Sequence, residues 1–156
     1  MTLKINIVGK EPCLETILVS SDSIYFKKYF PSLCFSVGQL KDKNLHLHLI
    51  NPKKNDFETF IDLQERFQLI SESILTLSYE ETIIDDFKQN IKTYFACNRF
   101  LIISKLKLSK CLTVDIDSIF LKNFKYPKQD LGLFLRKEFT GNFKLYVSAG
   151  VSTFLI

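Results

Sequence analysis

The period of apolar and polar positions changes several times along the chain, and each change predicts an element. Leu3, Ile5 and Ile7 alternate with Lys4 and Asn6, which predicts a short edge strand, broken by Gly9 to Pro12. Thr16-Ile17-Leu18-Val19-Ser20 is a compact β-branched run and reads as a buried strand that stops at Ser21-Asp22-Ser23. Phe26, Phe30, Leu33, Cys34 and Val37 then recur at helical spacing, with Pro31 inside and Gly38 as the stop. Asn44 to Ile50 reads as a second strand closed by Asn51-Pro52. Asn55-Asp56-Phe57-Glu58 has the layout of a capping box, and Phe57, Phe60, Ile61, Gln64 and Phe67 mark one face of the helix it opens. Ser73 to Tyr79 is a third strand, and the acidic stretch from Glu80 to Asn90 reads as an excursion over the surface. Lys92 to Leu106 is apolar on more than one side and predicts a well-buried helix. A strand carrying Asp115 and Asp117 follows, then strands at Leu131 to Arg136 and Leu145 to Ile156. Strands alternating with helices predict an α/β fold with a mainly parallel central sheet flanked by helices on both faces.

Composition narrows what such a fold can do. The chain has 156 residues, 46% of them hydrophobic and 24% charged, enough for one domain with a real core. No apolar run approaches the roughly 20 residues that span a bilayer, and residues 1–10 lack a signal-peptide layout, so the expected location is cytoplasmic. The net charge of +4 is spread along the chain without a basic stripe, which argues against a nucleic-acid partner. Cys13, Cys34, Cys97 and Cys111 form no C-x-x-C pair and read as buried free thiols rather than a zinc site or a disulfide frame. Lysine is the default cation, so Arg66, Arg99 and Arg136 stand out.

Three places carry candidate chemistry. Asp115 and Asp117 are one residue apart at the end of an apolar run, and in a strand both carboxylates would face one side. Two hard oxygen ligands suit a Mg²⁺ or Mn²⁺ that also binds phosphate oxygens; the alternative for the pair alone is a capped, solvated strand end. Arg99 lies in the middle of an apolar helix and either snorkels to solvent or reaches a phosphate or carboxylate. His46 and His48 share a strand face, and the preferred reading is a hydrogen-bonded pair under a covering helix rather than a metal site. Ser20-Ser21-Asp22, Tyr79-Glu80 and Asp115-Ile116-Asp117 would all lie at the carboxyl ends of the strands, where open α/β sheets bind ligands. Neither G-x-G-x-x-G nor G-x-x-x-x-G-K-[ST] occurs.

Four blocks in order resemble the nucleotide-sugar glycosyltransferases of the GT-A fold, family 8 above all. They are Ile17 to Asp22 with Tyr25, Thr93-Tyr94 to Arg99, the DxD-like Leu112 to Ile119, and Tyr146-Val147-Ser148-Ala149-Gly150-Val151. The resemblance covers residues 16–156; it implies a Rossmann-like nucleotide-diphospho-sugar transferase domain at 15–156, with 1–14 an extension or edge strand. It further implies that Ser20, Ser21 and Asp22 bind the nucleoside and that Tyr25 stacks on the base. Arg99 would contact the donor, Ile116 would pass close to the ribose, and Ser148 would stand where relatives place an asparagine on the donor sugar. Asp115 and Asp117 would hold Mn²⁺ or Mg²⁺ against the diphosphate of a UDP-linked donor, with an unassigned glycan, lipid or protein as acceptor. The chain stops at Ile156, short of the relatives' histidine metal ligand and later basic residues, so it is expected to be the N-terminal portion of a longer frame and inactive alone. Two other readings compete. One is a non-catalytic α/β interaction module; the other is a phosphatase of the haloacid dehalogenase type, which would need a Gly-Thr-like continuation that Ser118-Ile119 does not provide.

Overall fold

The computed structural model describes residues 4–13, 15–82, 91–126, 131–137 and 145–155. The surface excursion expected after Glu80 falls largely on residues 83–90, outside the described residues. The elements are β1 (Asn6–Val8), β2 (Glu15–Asp22), α1 (Ser23–Gly38), β3 (Leu45–Ile50), α2 (Lys54–Ile70), β4 (Leu75–Glu80), α3 (Ile91–Lys105), β5 (Lys110–Thr113), β6 (Leu131–Lys137) and β7 (Leu145–Leu155). They form one seven-stranded sheet in the order β1-β4-β3-β2-β5-β7-β6. β4, β3, β2 and β5 are mutually parallel, in the register Leu75↔Leu45↔Ile17↔Leu112. β1 and β7 are antiparallel to their neighbours. The parallel core is as the alternating pattern predicts; the antiparallel strands flank it.

Period-2 geometry gives each strand two faces. Ile17 and Val19, Leu45, Leu47 and Leu49, Leu75 and Leu77, and Leu112 share one face and form the main core with Phe26, Phe30, Leu33 and Val37 of α1 and Phe60 and Phe67 of α2. The α1 positions fall on one helical stripe, which is why the sequence shows them so clearly. Pro31 is exposed within a continuous helix. α2 begins two residues earlier than the capping pattern suggests, at Lys54 with Lys53 as its N-cap. Its third residue, Asp56, accepts the backbone N–H of Lys53 at 2.7 Å, so the cap is built by Asp56 and not by Asn55 with Glu58. Ile61, assigned to the buried face, is 52% exposed; Gln64 does turn inward and donates to the Leu75 carbonyl at 2.6 Å.

α3 covers the opposite face. A small apolar cluster of Leu18, Ile102, Ile103, Leu108 and Cys111 anchors it. Beside that cluster, His46, His48, Thr76, Ser78 and Glu80 are all buried on the same face. Glu80, expected at the start of a surface excursion, is instead the last residue of β4 and has no exposure at all. The four thiols are free, Cys34 and Cys111 within the core, but Cys97 is exposed rather than buried. Among the described residues, no helix is long and apolar enough to cross a membrane.

Candidate functional site

From β2 the chain passes through α1 to β3 on one side, and α3 delivers it to β5 on the other. The gap between the carboxyl ends of β2 and β5 is therefore a topological switch point, where the connections diverge and leave a crevice. Asp22 stands at one lip. It is the N-cap of α1, and its Oδ1 accepts the Tyr25 N–H at 2.8 Å, which fixes the carboxylate at the positive end of the helix. Ser21 is buried and donates to the Asp22 carbonyl at 2.9 Å. Ser20 donates to Asn98 Oδ1 of α3 at 3.2 Å. Tyr25 is 55% exposed, its ring tilted against Tyr29 with centroids 5.6 Å apart, so one side of the ring is open for stacking.

The other lip departs from expectation. β5 ends at Thr113, and Ile116-Asp117 form a turn closed by the Ser118 N–H on the Asp115 carbonyl at 3.0 Å. The two aspartates are thus not on a strand. Burial alternates along the segment: Val114 and Ile116 enter the main core, while Asp115 is half exposed and Asp117 is exposed. Ile116 is 8% exposed and acts as the plug that holds the turn.

Arg99 joins this turn to α3. Its side chain is only 10% exposed, and Nη1 lies 2.7 Å from Asp115 Oδ1. The snorkelling alternative is excluded, since the guanidinium reaches inward to a carboxylate. β7 runs antiparallel beside β5 with Thr113 opposite Ser152, so residues preceding Ser152 continue past the end of β5 toward Asp115. Along β6 and β7, Leu133 pairs with Ser152 and Phe134 with Ser148. Ala149, Gly150 and Val151 are therefore interposed as a bulge beside the Asp115 turn, a device that re-aims a strand at a site edge. The Ser148 side chain lies outside the described residues.

A second set of residues sits behind these. His46 Nδ1 lies 2.8 Å from Thr76 Oγ1, and His46 Nε2 lies 2.7 Å from Ser78 Oγ. Ser78 Oγ is also 2.8 Å from His48 Nδ1, and His48 Nε2 faces Glu80 Oε2 at 3.5 Å. One arrangement of protons serves this chain throughout: Thr76 donates to His46, His46 to Ser78, Ser78 to His48, and His48 points its remaining N–H at Glu80. Glu80 Oε1 accepts from Thr82 at 3.1 Å, from Asn98 Nδ2 at 3.0 Å and from Tyr94 Oη through a short hydrogen bond. Burial pushes the Glu80 carboxyl up, but His48, Tyr94 and Asn98 outweigh it and hold the group below the usual carboxylate range. Burial, reinforced by His48, lowers His46 to about 3, so it is neutral. The histidine pair is thus the buried, hydrogen-bonded pair expected under a covering helix. The role of Glu80 and Asn98 was missed because nothing local marks them; only cross-strand register brings them together.

Among the described residues, no group of three or more His, Cys, Asp or Glu could hold a metal. Asp115 and Asp117 offer two solvent-facing carboxylates on one turn, a partial hard-oxygen set of the kind Mg²⁺ or Mn²⁺ completes with phosphate oxygens and water. An apolar groove of about 500 Å³ lies nearby in sequence, lined by Pro31, Phe35, Ser36, Gln39, Ile119 and Phe120. It has no charged group to meet a diphosphate.

No protein-family model matches the sequence, and no curated protein sequence is significantly similar to it. Solved structures are. The glycosyltransferase GlyE of Streptococcus pneumoniae TIGR4 superposes with a TM-score of 0.59 over 94% of this chain, at 16% identity. The bifunctional glycosyltransferase WbbM, in its apo structure, gives 0.59 over 96% at 12% identity. This chain has their fold. It spans 34% of the length of GlyE and 32% of WbbM, so the likeness concerns one portion of each. The glycosyltransferase-like α/β architecture expected from the sequence is therefore present.

Proposed function

We propose that the chain binds the nucleotide-diphospho-sugar donor of a glycosyltransferase, with UDP as the nucleotide and Mn²⁺ or Mg²⁺ as the ion. The observation that carries this reading is the Arg99–Asp115 ion pair at the switch point of a glycosyltransferase-like fold. It brings a cation and a carboxylate together at the strand-end edge, with Asp117 two residues further on, groups of the kind a metal diphosphate would meet. On this reading Asp22, with Ser20 and Ser21, meets the nucleoside, Tyr25 stacks on the base, and the Ile116 backbone faces the ribose. Arg99 contacts the donor, and Ser148 sits beside the sugar on the bulged strand. Asp115 and Asp117 hold the ion, which supplies Lewis-acid stabilisation of charge on the departing diphosphate when bound. The acceptor would be a glycan, lipid or protein.

Calorimetric titration with UDP, with and without Mn²⁺, tests the reading. Binding should require Mn²⁺ and should weaken by about tenfold or more in Asp115→Asn and Asp117→Asn, the loss of one charge-assisted ligand each. A folded sample that binds neither UDP nor Mn²⁺, or variants that bind as well as the parent, would overturn it.

A further inference from the structure

Asn98 and Arg99 are neighbours on α3 with different partners. Asn98 is fully buried, and both ends of its amide are used. Nδ2 donates to Glu80 Oε1 at 3.0 Å and to Tyr94 Oη at 3.1 Å, while Oδ1 accepts from Ser20 at 3.2 Å. One side chain thus ties α3 to β4 and to β2, two strands apart in the sheet. Arg99 extends from the next position to the turn beyond β5, 2.7 Å from Asp115.

An apolar helix–sheet contact can slide by fractions of an ångström at little cost, because hydrophobic attraction has no direction. Among the described residues, the buried apolar cluster under α3 consists of Leu18, Ile102, Ile103, Leu108 and Cys111, a small patch. Hydrogen bonds are directional, and a buried polar group left unpaired costs more than a made bond gains. The Glu80–Asn98–Ser20 bonds therefore select one register of α3 over the sheet. In that register Arg99 reaches Asp115. The Thr76–His46–Ser78–His48 chain lies behind Glu80, with His48 Nε2 3.5 Å from the other carboxylate oxygen.

We infer that Asn98 is a positioning residue: anchored on the buried Glu80 carboxylate and on Ser20, it sets the register of α3 that presents Arg99 to the Asp115 turn. The inference deepens the donor-binding reading and rests on it for its consequence, but the presentation of Arg99 can be measured without ligand. The test uses the full chain and the substitutions Asn98→Leu, Arg99→Met and Asp115→Asn. Chemical denaturation of the Arg99→Met/Asp115→Asn cycle should give a coupling of about threefold to tenfold in the folding constant in the parent background. In the Asn98→Leu background the coupling should fall to near onefold. Equal coupling in both backgrounds would overturn the inference, whatever Asn98→Leu does to overall stability. UDP titration with Mn²⁺ gives the second readout. Asn98→Leu should weaken binding about as much as Arg99→Met, and the double variant should be no weaker than either; a multiplicative loss would show that Asn98 acts only on stability. If the parent binds no UDP, the donor reading fails while the ligand-free cycle still decides the role of Asn98. Should Asn98→Leu not fold, Tyr94→Phe removes one donor to Glu80 and should lower the same coupling part of the way; no change there would count against the inference.

Discussion

Glu80 is an acid with no exposed surface, held charged by three donors and faced by a histidine. The imidazoles beside it are pH-sensitive parts of the fold because they are buried. His46 is neutral because burial, with His48 beside it, lowers it from 6.5 to about 3. His48 is also lowered by burial, with Glu80 pulling the other way. A group whose folded pKa lies below its unfolded value stabilises fully above the unfolded value and loses that contribution as pH falls. For His46 the window runs from about 6.5 downward to about 3. At pH 5 the unfolded chain takes up a proton that folded His46 refuses, which costs about 2 kcal/mol; His48 adds loss of the same sign. Urea midpoints measured at pH 7.5 and pH 5 should therefore fall on acidification, and His46→Asn should remove part of that dependence. Equal midpoints at the two pH values would show that neither histidine is buried neutral. Glu80 and Asp56 are also held below their ordinary values, so their contributions are complete above about pH 4.5 and lost at lower pH.

Elements in this fold are tied by polar residues at their ends as much as by the apolar stripes between them. Asp56 shows this most directly. Its buried carboxylate takes Ser23 Oγ at 3.0 Å, Lys27 Nζ at 2.9 Å and the Lys53 N–H at 2.7 Å, joining the first turns of α1 and α2. Asp56→Ala should cost about 2–3 kcal/mol, since three donors lose an ionised acceptor. Asp62→Ala should cost almost nothing, because its pair with Arg66 on the same helix is 56% and 72% exposed. Thermal or urea unfolding of the two variants side by side checks the contrast. Asp22→Ala removes the α1 cap and should cost about 1 kcal/mol. The elements themselves were legible in the sequence because their apolar stripes are local: Phe26 to Val37 and Leu45 to Ile50 announce themselves by period. Asp56 was visible only as part of a capping motif shifted from its true place. The Asp115–Asp117 segment looks like strand in the sequence because an apolar run leads into acids one residue apart, yet the backbone turns at Ile116. The acidic neighbours of Glu80 in sequence suggest solvent, whereas its partners come from β3 and α3.

At the scale of the molecule, parallel strands alternating with helices could be read from order alone, and so could the strand-end location of the site. Strand neighbours could not. The antiparallel additions of β1 and β7, and the bulge at Ala149–Val151, depend on pairings between residues far apart in sequence. The result is a sheet whose centre and edges should differ in stability. β3 is buried at all six positions and paired over its whole length with β2 and β4. β1 has three residues, partly exposed, and pairs with β4. Opening β3 means separating α1 and α2 from the sheet and breaking the His46–Glu80 network at once, so its amides should exchange only through global unfolding. Amides of Ile7 and Val8 need only a short edge to detach. Native-state hydrogen exchange should therefore place Leu45–Ile50 in the slowest class and β1 well above it in rate. Leu47→Ala, a cavity in the main core, should accelerate the β3 amides by the full loss of stability, about 2–5 kcal/mol, and leave β1 rates nearly unchanged. The two classes respond differently only if β1 opens by itself. A common shift of both would mean that the edge strand is part of the same cooperative unit as the network beneath α3.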